Sequence, residues 1–254
     1  MIEVGDGFWN IRGSFKIGGV VDVGTQASLV RTNDGYVILD ACDFSDETRR
    51  WIDAQTRGGE DLVAVLHLHP FHTVFARALH QLYPKVPLYG TARHATKLPD
   101  LPWQPSRTED PELHARFSGD LTFSVPRGVA FIPANESLHF ASVLAFHPAS
   151  RTLHVDDTLT YVRLPKLLRP FKRDLMMLHP ALAKVLEPRS GAVSEFRDWT
   201  RELVERCRGV DNLCAAHSAC LLARDDSGPP IAERVQAAVE KVAGTLAAHE
   251  RKHG

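Results

Sequence analysis

The chain is poor in cysteine: Cys42, Cys207, Cys214 and Cys220 are all that 254 residues contain, and no two form a C-x-x-C pair. That excludes a disulfide-stapled scaffold, and a chain of this length buries enough surface to need no staples. Reduced thiols in a cytoplasmic protein are the expectation. No apolar run approaches the ~20 residues of a bilayer span. The opening MIEVGDGFWNIRGSF has acids and glycines where a secretion signal needs a basic start and an apolar stretch. With a formal net charge of −1, no long-range field draws nucleic acid or an anionic membrane. The basic cluster Arg163, Lys166, Arg169, Lys172 and Arg173 reads as a solvated helical face. Also missing are a Walker loop, a G-x-G-x-x-G run and a G-x-S-x-G elbow. Nucleotide-cofactor and serine-nucleophile readings therefore have no support.

What is present is an alternation of strand and helix patterns without low-complexity segments. Ala27 to Thr32 and Tyr36 to Asp40 are apolar runs joined by Asn33-Asp34-Gly35, a hairpin signal. Ser45 to Arg57 has helical character. Leu62 to Leu66 is a continuous apolar run, short enough for a strand buried on both faces. Val74, Phe75, Ala78, Leu79 and Leu82 follow at helical spacing, and Val86 to Tyr89 completes a β-α-β pattern. Residues 98 to 111 carry four prolines and read as a surface loop, a plain connection or a lid. Further strands are expected at Leu121–Val125, Val129–Ile132, His139–Phe146, Thr152–Val155 and Asn212–Ala216. Helices are expected in pieces over Leu164–Leu186, then over Val193–Arg208 and from Ile231 to the end. The length suits one domain, residues 1–254.

The sharpest feature is His67-Leu68-His69-Pro70-Phe71-His72, where the buried strand ends. His67 and His69, two apart, leave an extended segment on the same side. Pro70 fixes φ near −65° and ends the strand. His72 then sits on the turn, and three imidazoles in six residues suit a zinc or iron centre.

With this context the chain resembles the metallo-β-lactamase superfamily, whose hallmark is H-x-H-x-D-H after a buried strand. Further candidates follow in the family's order. His139 stands at the head of an expected strand. Asp157 ends Leu153-His154-Val155-Asp156-Asp157, similar to the family's G-D-T-L segment, and His217 follows Leu213-Cys214-Ala215-Ala216. Ser28 to Asp40 is similar to the paired opening strands that end in Asp. The resemblance spans roughly residues 20 to 220 and implies a four-layer αββα sandwich. It implies that His67, His69 and His139 hold one metal, and that His72, Asp157 and His217 hold a second, with Asp157 bridging. Asp156 competes with Asp157 for that role. Asp40 is implied to orient a neighbouring loop or a ligand histidine without binding metal.

The chain departs from the family at Phe71, where the pattern has the Asp that ligates the second metal. A dinuclear centre with a weaker second metal, a mononuclear centre and a centre without hydrolytic activity all stay open. Zinc heads the expected metals, with iron or manganese as the others. The implied chemistry is hydrolysis of a small carbonyl-containing substrate, a lactone, thioester or related ester, by metal-bound hydroxide. The rival is a non-hydrolytic metal-binding, redox or sensor module. His94 and His179 are the other histidines placed to border a substrate cleft, and Met176 and Met177 read as core.

Overall fold

The computed structural model describes residues 1–17, 20–164, 174–217 and 219–254. The chain opens with β1 (Ile2–Gly5), β2 (Phe8–Gly13), the ribbon β3 (Lys16–Ile17) and β4 (Val21–Asp22), β5 (Thr25–Thr32) and β6 (Gly35–Leu39). Helix α1 (Asp46–Gln55) leads to β7 (Leu62–Leu66), and α2 (Ala76–Leu82) leads to β8 (Leu88–Tyr89). Then come α3 (Ala92–Lys97), α4 (Pro111–Arg116), β9 (Thr122–Ser124), β10 (Leu144–His147) and β11 (Thr152–Val155). The remainder is β12 (Leu159–Val162), β13 (Leu175–Leu178), α5 (Leu182–Val185), α6 (Ala192–Cys207), β14 (Asn212–Ala215), β15 (Cys220–Leu221), α7 (Ile231–Glu240) and α8 (Ala243–His253). The chain divides into two compact units, Met1–Phe123 with Ala145–Thr152, and Ser124–Leu144 with Leu153–Gly254.

The first unit is built on a six-stranded sheet of order β1-β2-β5-β6-β7-β8. Pairing is antiparallel up to β5/β6 and parallel from β6 through β8. The parallel pairs follow from the helices between them, because a crossover returns each strand in the same direction. Ser45 caps α1, its Oγ accepting from the Thr48 amide at 3.1 Å. The β5/β6 turn needs a glycine, since Gly35 has φ +143° and a Cβ there would lie 2.4 Å from the Asp61 carbonyl oxygen. Ile11, Ala27, Leu29, Ile38, Ile52, Val65, Leu79 and Leu88 form its core. Neighbouring β5 residues carry a buried polar cluster, in which the Asn10 amide donates to Gln26 Oε1 and Ser28 Oγ at 3.1 Å each.

The other large sheet has the order β15-β14-β11-β10-β9, and β12 pairs with β13 in a separate hairpin. In the second unit, Phe196, Trp199 and Leu203 of α6 are buried, and Trp199 Nε1 donates to Ser124 Oγ at 2.9 Å. No helix among the described residues is long and apolar enough to cross a membrane.

Several local expectations are corrected. The expected strand His139–Phe146 begins only at Leu144. Upstream of it, the Thr158 hydroxyl donates to the Phe140 carbonyl at 2.9 Å and lies 3.0 Å from the Ser142 amide, so a side chain satisfies backbone groups that a ladder would otherwise pair. Among the described residues, Val129–Ile132 makes a single bridge, Val129 to Leu186. Around Met176 and Met177 the chain is strand rather than helix; Met176 and Leu178 are buried while Leu175 and Met177 are half-buried, a period of two. Lys166, Arg169, Lys172 and Arg173 lie outside the described residues. The strands over Ile2–Gly13 and the helices α3 and α4 were not expected, and the C-terminal helix is two, α7 and α8.

Candidate functional site

The six candidate ligands divide between the units: His67, His69 and His72 belong to the first, His139, Asp157 and His217 to the second. The first set sits at the carboxyl end of parallel strand β7, beside the end of β6. Carboxyl ends of parallel strands are where open α/β sheets bind ligands; here His69 and His72 are brought together, while His67 packs against His94 and Trp103. Asp40 follows β6 directly. Its amide donates to the Leu66 carbonyl at 2.8 Å, and its Oδ1 accepts from the Leu68 amide at 2.8 Å. It adopts φ +56°, the left-handed region a non-glycine residue enters at a cost of about 1–2 kcal/mol. Asp40 thus fastens the turn between His67 and His69 to the neighbouring strand.

His67 is fully buried, and among the described residues neither of its ring nitrogens has a hydrogen-bond partner. Its ring packs at 5.1 Å from the His94 ring and 5.6 Å, edge-on, from Trp103. Burial pushes its imidazole down to about 3, so the ring is neutral at physiological pH. The proline-rich segment 98–111 holds it in place: Thr108 Oγ1 donates to the His67 carbonyl at 2.8 Å, and the Thr108 amide donates to the Gly90 carbonyl at 3.2 Å. His94 is buried and held at the start of α3, where the Thr91 amide donates to its Nδ1 at 3.3 Å. That puts the ring proton on Nε2, which is buried without a hydrogen-bond partner among the described residues. Fully buried, His94 packs against His67 and Trp103 and exposes no surface to a substrate.

His69 is also buried, and its ring stacks on the half-buried His72 ring at 4.0 Å. The turn between them is tight: the His72 amide donates to the His69 carbonyl at 3.1 Å, and the Phe71 amide donates to His69 Nδ1 at 3.1 Å. The Phe71 ring lies 6.0 Å from that of His69 and carries the Arg93 guanidinium 4.3 Å from its centroid. Arg93 also donates to the Pro70 carbonyl at 3.1 Å. A cation over an aromatic face thus stands at the position where the family pattern has a carboxylate.

In the second unit the three candidates meet. Asp157 is buried; its Oδ1 is 2.8 Å from His217 Nε2 and its Oδ2 is 3.8 Å from His139 Nδ1. His139 Nε2 lies 3.0 Å from the Glu136 carbonyl oxygen, in the loop that replaces the expected strand. Asp156 and His154 are buried beside Asp157 on the same segment.

The donor chemistry fits a transition metal. A neutral imidazole buried with both nitrogens unsatisfied costs roughly 1–3 kcal/mol per group, and a native fold keeps such a group for a reason, a bound ion among them. Imidazole nitrogens with one carboxylate are the donor set zinc and iron accept. The residues that sequence reasoning passed over are the supports of this set: Trp103, Thr108, Arg93 and Thr158. Only Trp103, an aromatic in a polar loop, carried any signal.

No family model matches the chain, and no curated protein does. Solved structures do. A metallo-β-lactamase from Erythrobacter litoralis is 14% identical, with a TM-score of 0.59 over 94% of this chain and 95% of that one. The metallo-β-lactamase FIM-1 from Pseudomonas aeruginosa is 10% identical, with a TM-score of 0.57 over 95% and 94%. One from Pontibacter korlensis is 12% identical, with a TM-score of 0.55 over 94% and 97%. The chain therefore has the metallo-β-lactamase fold, the αββα sandwich that its histidine motif and opening strands implied.

Proposed function

We propose that this chain is a metal-dependent hydrolase of a small carbonyl-containing substrate, a lactone, thioester or related ester. His67, His69 and His139 are assigned to one metal, and His72, Asp157 and His217 to a second that is held more weakly because Phe71 contributes no carboxylate. The observation that carries the reading is His67, a neutral imidazole buried with both ring nitrogens unsatisfied at the head of the motif. Zinc is the favoured ion, with iron or manganese as alternatives, and one structural neighbour is described in a mono-zinc form. When bound, such an ion brings the pKa of a coordinated water to about 7 and polarises a carbonyl oxygen. Asp157 is assigned to hold the proton released during attack, and its 2.8 Å contact with His217 fixes the orientation of both. Phe71 cannot share that work. Asp40 keeps the motif turn in register through the Leu68 amide.

A second reading, a non-hydrolytic metal-binding, redox or sensor module, is favoured by the Arg93–Phe71 pair, which puts positive charge where the family pattern has negative. Elemental analysis of the purified protein, followed by lactone, thioester and phosphodiester substrates with and without chelator, separates the two. Chelator-sensitive turnover of a carbonyl substrate is expected. Stoichiometric metal without turnover of any of them would favour the second reading, and absence of metal binding would sink both.

A further inference from the structure

Strands β14 and β15 form a hairpin in which Cys214 stands directly opposite Cys220, with their Sγ atoms 3.7 Å apart. Directly opposed antiparallel residues have Cα atoms about 4.5–5.5 Å apart, within the roughly 4.4–6.8 Å a disulfide spans. The sulfurs are already in van der Waals contact, so side-chain rotation with little backbone movement brings them to bonding distance. Both side chains are buried, but Cys220 lines a cavity of about 730 Å³ bordered by Tyr161, Asp174, Pro229 and Arg234. A cavity of that size falls in the range that admits small molecules. Cys42 and Cys207 have no such neighbour, and burial pushes each of their thiols up to about 12.

We propose that Cys214 and Cys220 are a site of reversible disulfide formation, oxidised by a low-molecular-weight disulfide that enters through this cavity. The Cys220 thiolate attacks one sulfur of the small disulfide, forming a mixed disulfide and releasing one thiolate. The Cys214 thiolate then attacks Cys220 Sγ, forming the intramolecular bond and releasing the second thiolate. The two cysteine protons end on the two released thiols, so the protein loses two hydrogens and the small disulfide is reduced. The bond ties the ends of the loop that carries His217. Only that consequence rests on the metal-site reading; the chemistry of the pair does not.

The test uses metal-free protein incubated with oxidised glutathione, then freed of glutathione, unfolded and alkylated in urea, digested with trypsin and mapped by mass spectrometry. No lysine or arginine lies between Arg208 and Arg224, so one peptide carries both cysteines. That peptide is expected to lose two hydrogens and resist alkylation until dithiothreitol is added, while Cys42 is alkylated throughout. Cys214→Ser is expected to trap glutathione on Cys220; if that variant fails to fold, the wild-type mapping decides alone. Alkylation of both Cys214 and Cys220, or a glutathione adduct stalled on wild-type Cys220, overturns the proposal. Because no metal is present, neither result bears on whether His217 binds one.

Discussion

His67 makes the metal-free protein sensitive to acid, and the size of the effect follows from its burial. Its imidazole ionises at about 3 in the folded chain, against 6.5 for an ordinary histidine. The folded value is the lower one, so the neutral ring's stabilisation is complete above about pH 6.5 and is lost as pH falls toward 3. From about pH 7 to pH 5 the unfolded chain gains about 0.7 of a proton that the folded chain refuses, and the integrated effect removes about 2 kcal/mol. Against a total of about 5–15 kcal/mol for a typical domain, that is a measurable fraction. Urea unfolding of the chelator-treated protein, in wild type and His67→Leu, checks it. The wild type should lose about 2 kcal/mol more than the variant between those two pH values. Some slope remains in the variant, because burial also pushes the buried His94 well below its ordinary value. Equal losses in the two proteins would refute the reasoning, and with it the view that this ring is sealed from water.

Other outcomes follow from single residues. Phe71→Asp restores the missing carboxylate and should tighten the second metal at least about tenfold, or about 1.4 kcal/mol, in a competition titration with a chromophoric chelator; unchanged affinity and stoichiometry count against the ligand assignment. At Gly90 a Cβ would lie 2.7 Å from Trp103 Cζ3 and 2.8 Å from His94 Cβ, so Gly90→Ala should cost about 1–3 kcal/mol in denaturant unfolding. Trp199→Ala should cost about 3–5 kcal/mol. Trp199→Phe, which keeps an aromatic ring but loses the donor to Ser124 and part of the buried volume, should cost less, about 1–3 kcal/mol, by the same measurement.

The sequence by itself located β5, β6, β7 and α6 and marked the point where β7 gives way to the histidines, because these elements announce themselves through local apolar periodicity and turn residues. The order of candidate ligands also suggested the fold that structural comparison then showed. Tertiary structure alone decided how His67 is held: Thr108 reaches its carbonyl from 41 residues away, and His94 and Trp103 close over its ring. It also decided that the chain around Phe140 and Ser142 would not be strand, since Thr158 takes up the Phe140 carbonyl and the Ser142 amide from a separate segment. The methionine pair became part of a strand because β12 was there to pair with it. A hydrogen bond between distant residues leaves no periodic trace in the chain, so what supports a buried histidine becomes visible only once the chain has folded around it.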